Sequence, residues 1–232
     1  MLLGAMIEVF AKRFGETPKG RAMMIRFVAV LALAAALVGC GGPESPAPAT
    51  RTEPVATGVA YQHVPSGMLF PPKIGGFERT NVYPGRAGSD GVTVGYAFLT
   101  PSGPMLVTVT IEASPPGSVD AEAIDPACRE VFERRKADIG TSNAQVKWIE
   151  EKDVALRLAG ETQPMMTTAF DFEFRGEPMR GYLYLACHVG GAWSLHYRAT
   201  APRDPKMAEI VTGFVAALPG GKLHPAASAE VK

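Results

Sequence analysis

Met179-Arg180-Gly181-Tyr182-Leu183-Tyr184-Leu185-Ala186-Cys187-His188-Val189, then Gly190-Gly191, then Ala192-Trp193-Ser194-Leu195-His196-Tyr197-Arg198-Ala199-Thr200, is the stretch that decides the fold. Two runs rich in aromatic and branched residues flank a glycine pair, which is the pattern of a β-hairpin. Upstream, Thr167 to Arg175 is a third such run, joined to the second through Gly176-Glu177. A two-residue turn at Gly190-Gly191 sets His188 opposite Trp193 and His196 opposite Leu185. In the preceding hairpin Glu173 is expected to pair with Arg180. Phe170, Phe172 and Phe174 then share a face with Leu183, Leu185 and Cys187. The opposite face carries Tyr182, Tyr184, His188, Trp193, Leu195 and Tyr197. Both faces are apolar, so both need a cover.

The same reading extends outward. Phe70 to Phe77 is a proline-bearing extended entry, and Glu78 to Tyr83 a weak first strand. Val92 to Leu99 and Met105 to Ala113 alternate and are joined by Pro101-Ser102-Gly103-Pro104. Asp125 before Pro126 reads as an N-cap with proline at the first helical position, and Gly140 as the stop. Ile124, Cys128, Val131, Phe132 and Ile139 form the apolar side of that helix. Val146 to Ile149 and Val154 to Leu158 read as two short strands. A last helix is expected from Pro205 to Leu218, capped by Asp204 and closed by Gly220-Gly221.

Hairpin, helix, meander, helix is an α+β order, with a largely antiparallel sheet of about six to seven strands and helices packed on its faces. In this element order the domain resembles the PsbP-like group of small α/β/α sandwiches, which includes many bacterial lipoproteins. The resemblance implies the fold alone, because no family motif can be matched residue by residue.

Ahead of the domain, Lys19, Arg21 and Arg26 precede an unbroken apolar run from Phe27 to Val38. That run is too short to span a bilayer and has the length of a secretory core segment. It ends in Leu37-Val38-Gly39-Cys40, which resembles the lipobox of bacterial prolipoproteins. The resemblance implies a signal peptide over residues 1–39, cleavage before Cys40 and acylation of Cys40 (palmitate among the expected chains). Translation starting at Met23 or Met24 fits the same pattern. Residues 40–65 are expected to be the acylated cysteine and a Pro/Ala-rich tether, residues 66–221 one globular domain, and residues 222–232 a disordered tail.

The chain carries 23 basic and 23 acidic residues. Cleavage removes Lys12, Arg13, Lys19, Arg21, Arg26, Glu8 and Glu16, leaving 18 basic and 21 acidic residues and a net charge of −3. Such a balance has no electrostatic footprint for nucleic acid or for anionic lipid. Membrane attachment is therefore assigned to acyl chains. By resemblance to the sorting rule of Gram-negative lipoproteins, Gly41 after the cysteine favours the outer membrane, facing the periplasm.

Chemistry-bearing motifs are missing from the sequence: it has no nucleophile elbow, phosphate loop, His-Glu-x-x-His or Cys-x-x-Cys. No catalytic residue, cofactor or metal site is assigned. His63 falls in the tether and His224 in the tail, and the register sets His188 and His196 on opposite faces, where they cannot share a metal. Asp171 and Glu173 share a strand face but are not read as an acid–base pair. With Cys40 acylated, Cys128 and Cys187 remain as a disulfide candidate in an oxidising compartment.

These readings converge on a non-catalytic envelope protein that binds an envelope partner or a small ligand. A carrier of a small apolar molecule and an enzyme with an unrecognised site are the alternatives. Tyr182, Tyr184, His188, Trp193 and Tyr197 are the binding candidates, since tyrosine and tryptophan dominate contact sites. The last helix can lie over this face through Ile210, Val211 and Phe214. The functional expectation is that the Trp193–His188 end stays uncovered.

Overall fold

Glu177–Val189 and Trp193–Pro202 pair as the expected antiparallel hairpin at the middle of the protein. A computed structural model describes residues 58–85, 89–117, 124–143, 145–158 and 161–218. All of these belong to one compact unit, Arg51–Lys232. The expected signal peptide, Cys40, Gly220-Gly221 and the tail lie outside the described residues.

In chain order the strands are β1 (Tyr61–Gln62), β2 (Leu69–Phe70), β3 (Lys73–Ile74), β4 (Phe77–Pro84), β5 (Val92–Thr100) and β6 (Gly103–Ala113). Helix α1 (Pro126–Ser142) follows, then β7 (Lys147–Leu158), β8 (Glu161–Phe174), β9 (Glu177–Val189), β10 (Trp193–Pro202) and helix α2 (Met207–Ala217). One eight-stranded sheet has the order β3-β4-β5-β6-β10-β9-β8-β7, and β1 and β2 form a separate pair. All the pairings are antiparallel. The fold is therefore α+β in the broad sense and mainly β, with more strands than the six to seven expected. No helix among the described residues is long and apolar enough to cross a membrane.

Three local expectations are corrected. Val146 to Ile149 and Val154 to Leu158 are not separate strands but parts of β7, which runs unbroken through Glu150, Glu151, Lys152 and Asp153. β7 is the sheet's outer strand, so those charges stay in water while their backbone pairs with β8. Secondly, β8 and β9 turn at Arg175-Gly176, both with positive φ, which pairs Phe174 with Glu177. Arg180 therefore meets Asp171, with Nε donating to Oδ1 at 2.8 Å and a second nitrogen donating to Oδ2 at 3.2 Å, and Glu173 faces Pro178. The slip is of two residues, so every side chain keeps its face. Thirdly, Gly58 to Pro65 is folded, and the expected tether does not extend to residue 65. Tyr61 and Gln62 pair with Phe70 and Leu69, and His63 is buried.

A buried cation fixes that entry arm. Arg79, on β4, donates to the Phe70 carbonyl at 2.5 Å and to the Val59 carbonyl at 2.7 Å. Burial pushes its pKa down, and the two carbonyls supply hydrogen bonds in place of water.

Each apolar face has its own cover. Tyr182, Tyr184, Ala186, Leu195, Tyr197 and Ala199 pack with Val211, Phe214 and Val215 of α2 and with Met68 and Phe70 of the arm. Phe170, Phe172, Leu183, Leu185 and Cys187 pack with Cys128, Phe132 and Ile139 of α1. The cap of α1 is the expected one, Asp125 Oδ1 accepting from Ala127 N–H at 2.7 Å, and the helix ends two residues later than expected, at Ser142. α2 starts later than expected, because Pro205-Lys206 forms a turn in which Asp204 Oδ1 accepts from Lys206 N–H at 2.9 Å.

Cys128 and Cys187 are disulfide-bonded, as the sequence suggested, with a separation of 59 residues. α1 buries only Cys128, Phe132 and Ile139, so the covalent tie replaces apolar contact at its first turn. Closing a loop of that length is worth about 4 kcal/mol through the unfolded chain. Replacing both cysteines by serine should lower the unfolding free energy by about 4 kcal/mol in urea titration. Alkylation of the unreduced, denatured protein should leave both thiols unmodified.

Candidate functional site

The hairpin between β9 and β10 departs from a regular ladder at one place. Val189 pairs with Trp193, so the loop is Gly190-Gly191-Ala192, one residue longer than expected. Beyond it the register slips, and Leu195 pairs with Ala186. Cys187 and His188 together oppose Ser194, which is a β-bulge. His188 takes the left-handed conformation there, with φ 57°. Glycine usually fills that conformation, because a Cβ is strained in it.

Ser114, just past β6, holds the bulge. Its hydroxyl accepts from His188 N–H at 2.8 Å and lies 3.2 Å from the Ser194 hydroxyl, while its N–H donates to the Ala192 carbonyl at 2.8 Å. The Gly191 N–H donates to the His188 carbonyl at 2.8 Å. The extra residue re-aims the imidazole. His188 was expected on the aromatic face, but its ring lies on the α1 side, beside Asp125. His188 and His196 therefore share a face, contrary to the simple register. Among the described residues no group of three metal-ligating side chains forms.

His188 opens onto a cleft of ≈ 580 Å³ between the start of α1, the start of β8 and the β9–β10 loop. One wall is the Cys128–Cys187 disulfide with Leu185, Met166 and Ile124, and Glu161 to Pro164 form another. Asp125 and His188 side chains are each only 10% exposed. His188 Nε2 lies 3.6 Å from Asp125 Oδ2, too far for a hydrogen bond, and has no other partner. A buried ring nitrogen left so is costly unless something meets it. Asp125 and Glu161 are the ionisable carboxylates of the lining, and no described lysine or arginine lines it.

Next along the same face is a second histidine–carboxylate contact. His196 Nε2 lies 2.8 Å from Glu112 Oε1, and an Arg135 nitrogen from α1 donates to both Glu112 oxygens at 3.0 Å. The imidazole contact is short but off-axis. His196 first, and then Arg135, hold the Glu112 carboxyl down to about 2. The carboxylate is thus tied to the sheet and to α1.

The aromatic candidates are placed otherwise than expected. Trp193 is 1% exposed, under the His63 ring, whose centroid is 5.6 Å away in an edge-on arrangement. His63 itself is held by Ser66, its Nδ1 lying 2.7 Å from the hydroxyl, and burial pushes its pKa down. Tyr197 is fully buried and donates to the Leu218 carbonyl at 3.3 Å. Tyr184 lies 3.1 Å from the Thr212 hydroxyl of α2, and Tyr182 is buried alongside. The Trp193 end is therefore not an open surface, because the arm covers the part that α2 leaves. Of the five candidates only His188 reaches the cleft. Asp125, read from sequence as a helix cap, is the partner that sequence reasoning missed.

No known protein family matches the chain, and no curated protein matches it significantly in sequence.

Glu112 gives a measurable pH dependence. Its folded pKa lies below the ordinary 4.5, so its contribution is complete above pH 4.5 and disappears as pH falls through about 2. The side chain is 35% exposed, and solvent screening reduces the effect to roughly 1 kcal/mol. Between pH 5 and pH 2 the wild type should lose about 1 kcal/mol more stability in urea titration than Glu112→Gln. Parallel curves for the two proteins would rule this coupling out.

Proposed function

We propose that this chain is a lipid-anchored protein of a bacterial cell envelope, whose folded unit binds a small polar ligand and does not catalyse a reaction. The anchor rests on the resemblance of Leu37-Val38-Gly39-Cys40 to a lipobox. The Cys128–Cys187 disulfide supports export, since such bonds persist in oxidising compartments. Helices over both faces of an antiparallel sheet support kinship with the α/β/α sandwiches of PsbP-like lipoproteins. An outer-membrane position facing the periplasm follows from Gly41 if the host is Gram-negative.

The observation that carries the binding reading is His188, held left-handed in the wall of the cleft, with a buried Nε2 that has no hydrogen-bond partner. Backbone strain at a non-glycine residue persists where the side chain is needed. The cleft has the volume of a small-molecule site. Packing of the aromatic face under α2 and the arm argues against the apolar-carrier reading.

Two experiments test the proposal. Cys40→Ser should abolish fatty-acid labelling and move the protein out of the membrane fraction; unchanged labelling would sink the anchor. His188→Gly removes the strain as well as the ring, so its melting temperature should stay level or rise by about 2–4 °C. Native mass spectrometry of the protein extracted from its own membranes should show a bound small molecule in wild type and none in His188→Gly. Identical spectra would remove His188 from any binding role.

A further inference from the structure

The charge of the cleft selects among ligands, an inference that rests on the reading of the cleft as a binding site. We propose that it takes a small ligand bearing a protonated amine or guanidinium group, which donates to His188 Nε2 and pairs with Asp125.

The acidic lining is one observation, and the histidine is an independent one. Asp125 and Glu161 are the charged groups of the described lining, with no lysine or arginine among them. The His188 side chain is 10% exposed, and its Nε2 has no hydrogen-bond partner. An uncharged imidazole nitrogen with no proton is an acceptor, and a ligand N–H would meet it. At 3.6 Å from Asp125 Oδ2, the nitrogen and the carboxylate are close enough for one cationic head to face both.

The rival is an anion, because the cleft lies at the N-terminus of α1, where backbone N–H groups favour negative charge. Magnitudes decide against it. A helix terminus is worth about half a positive charge, and Asp125 already sits on it as the cap, with a full negative charge. Adding Glu161 leaves the lining net negative, so an anion would be repelled. The remaining walls suit the ligand's carbon part. Ile124, Met166, Leu185 and the disulfide give apolar contact for a short methylene chain. A diamine or an arginine-like side chain has this combination of cationic head and apolar stem.

Thermal shift and isothermal titration on the mature, disulfide-bonded chain are the test, with putrescine, agmatine and arginine as probes and succinate and glucose as controls. The amines should raise the melting temperature saturably, and the controls should not. His188→Gly should weaken amine binding by about tenfold or more, the scale of one charge-assisted hydrogen bond. Asp125→Asn should do the same while folding normally, since asparagine caps a helix as well as aspartate. Succinate or glucose binding that is lost in these variants would overturn the ligand class and leave the cleft as the site. No amine shift at millimolar concentration would also overturn the class. Amine shifts that survive both substitutions would overturn the cleft itself.

Discussion

Strands β9 and β10 are apolar on both sides, and a sheet with two such faces must be covered twice before water will tolerate it. The rest of the molecule can be derived from that constraint. Nearly every side chain from Gly181 to Val189 and from Trp193 to Ala201 is buried. At roughly 25 cal/mol per Å² of apolar area removed from water, burial of this strip strongly favours the fold. Two helices of 17 and 11 residues have to cover it together with the short entry arm. α2 is the more apolar helix and packs directly on the tyrosine face. α1 is charged along most of its length and buries three residues, so it is stapled to the sheet through its first turn.

Coverage also explains the entry arm. α2 leaves the end of the tyrosine face near the β9–β10 loop uncovered, and Trp193 lies there. His63 closes over it, and Arg79 holds the arm's carbonyls, so a cation is buried to keep a tryptophan dry. Close fit at the sheet centre has the same origin. Gly181 sits opposite Phe170, whose ring lies where any Cβ at residue 181 would be.

The bulge at Cys187-His188 separates the structural role of the hairpin from its chemical one. Up to Cys187 the strand alternates and serves the core. One extra residue then turns His188 out of the tyrosine face and towards the start of α1. There the helix cap, the disulfide and the imidazole meet around the cleft. The disulfide serves both ends, as a tie for a weakly packed helix and as a wall of the site.

How much of this was legible in the chain differs by scale. Period-2 alternation placed β5, β6, β8, β9 and β10, and Asp125-Pro126 placed the start of α1, because these signals are local. The sorting of Phe170, Phe172, Leu183, Leu185 and Cys187 onto one face survived a wrong turn assignment, since a two-residue slip preserves faces. On that sorting, and on the helix stripe bearing Cys128, the disulfide pairing could be drawn. Properties that depend on more than neighbours along the chain were not legible. Glu150 to Asp153 look like a break in a strand, and only the edge position of β7 lets their charges stay wet. His63 looks like linker, and only the gap beside Trp193 buries it. His188 was assigned by alternation to the wrong face, because a bulge is set by Ser114, a residue 74 positions away whose hydroxyl takes the His188 N–H. The sequence by itself determined which residues form strands and which faces are apolar, through short-range sterics and periodicity. The tertiary structure alone decided what covers each face and where the His188 imidazole points, because both depend on contacts between segments far apart in the chain.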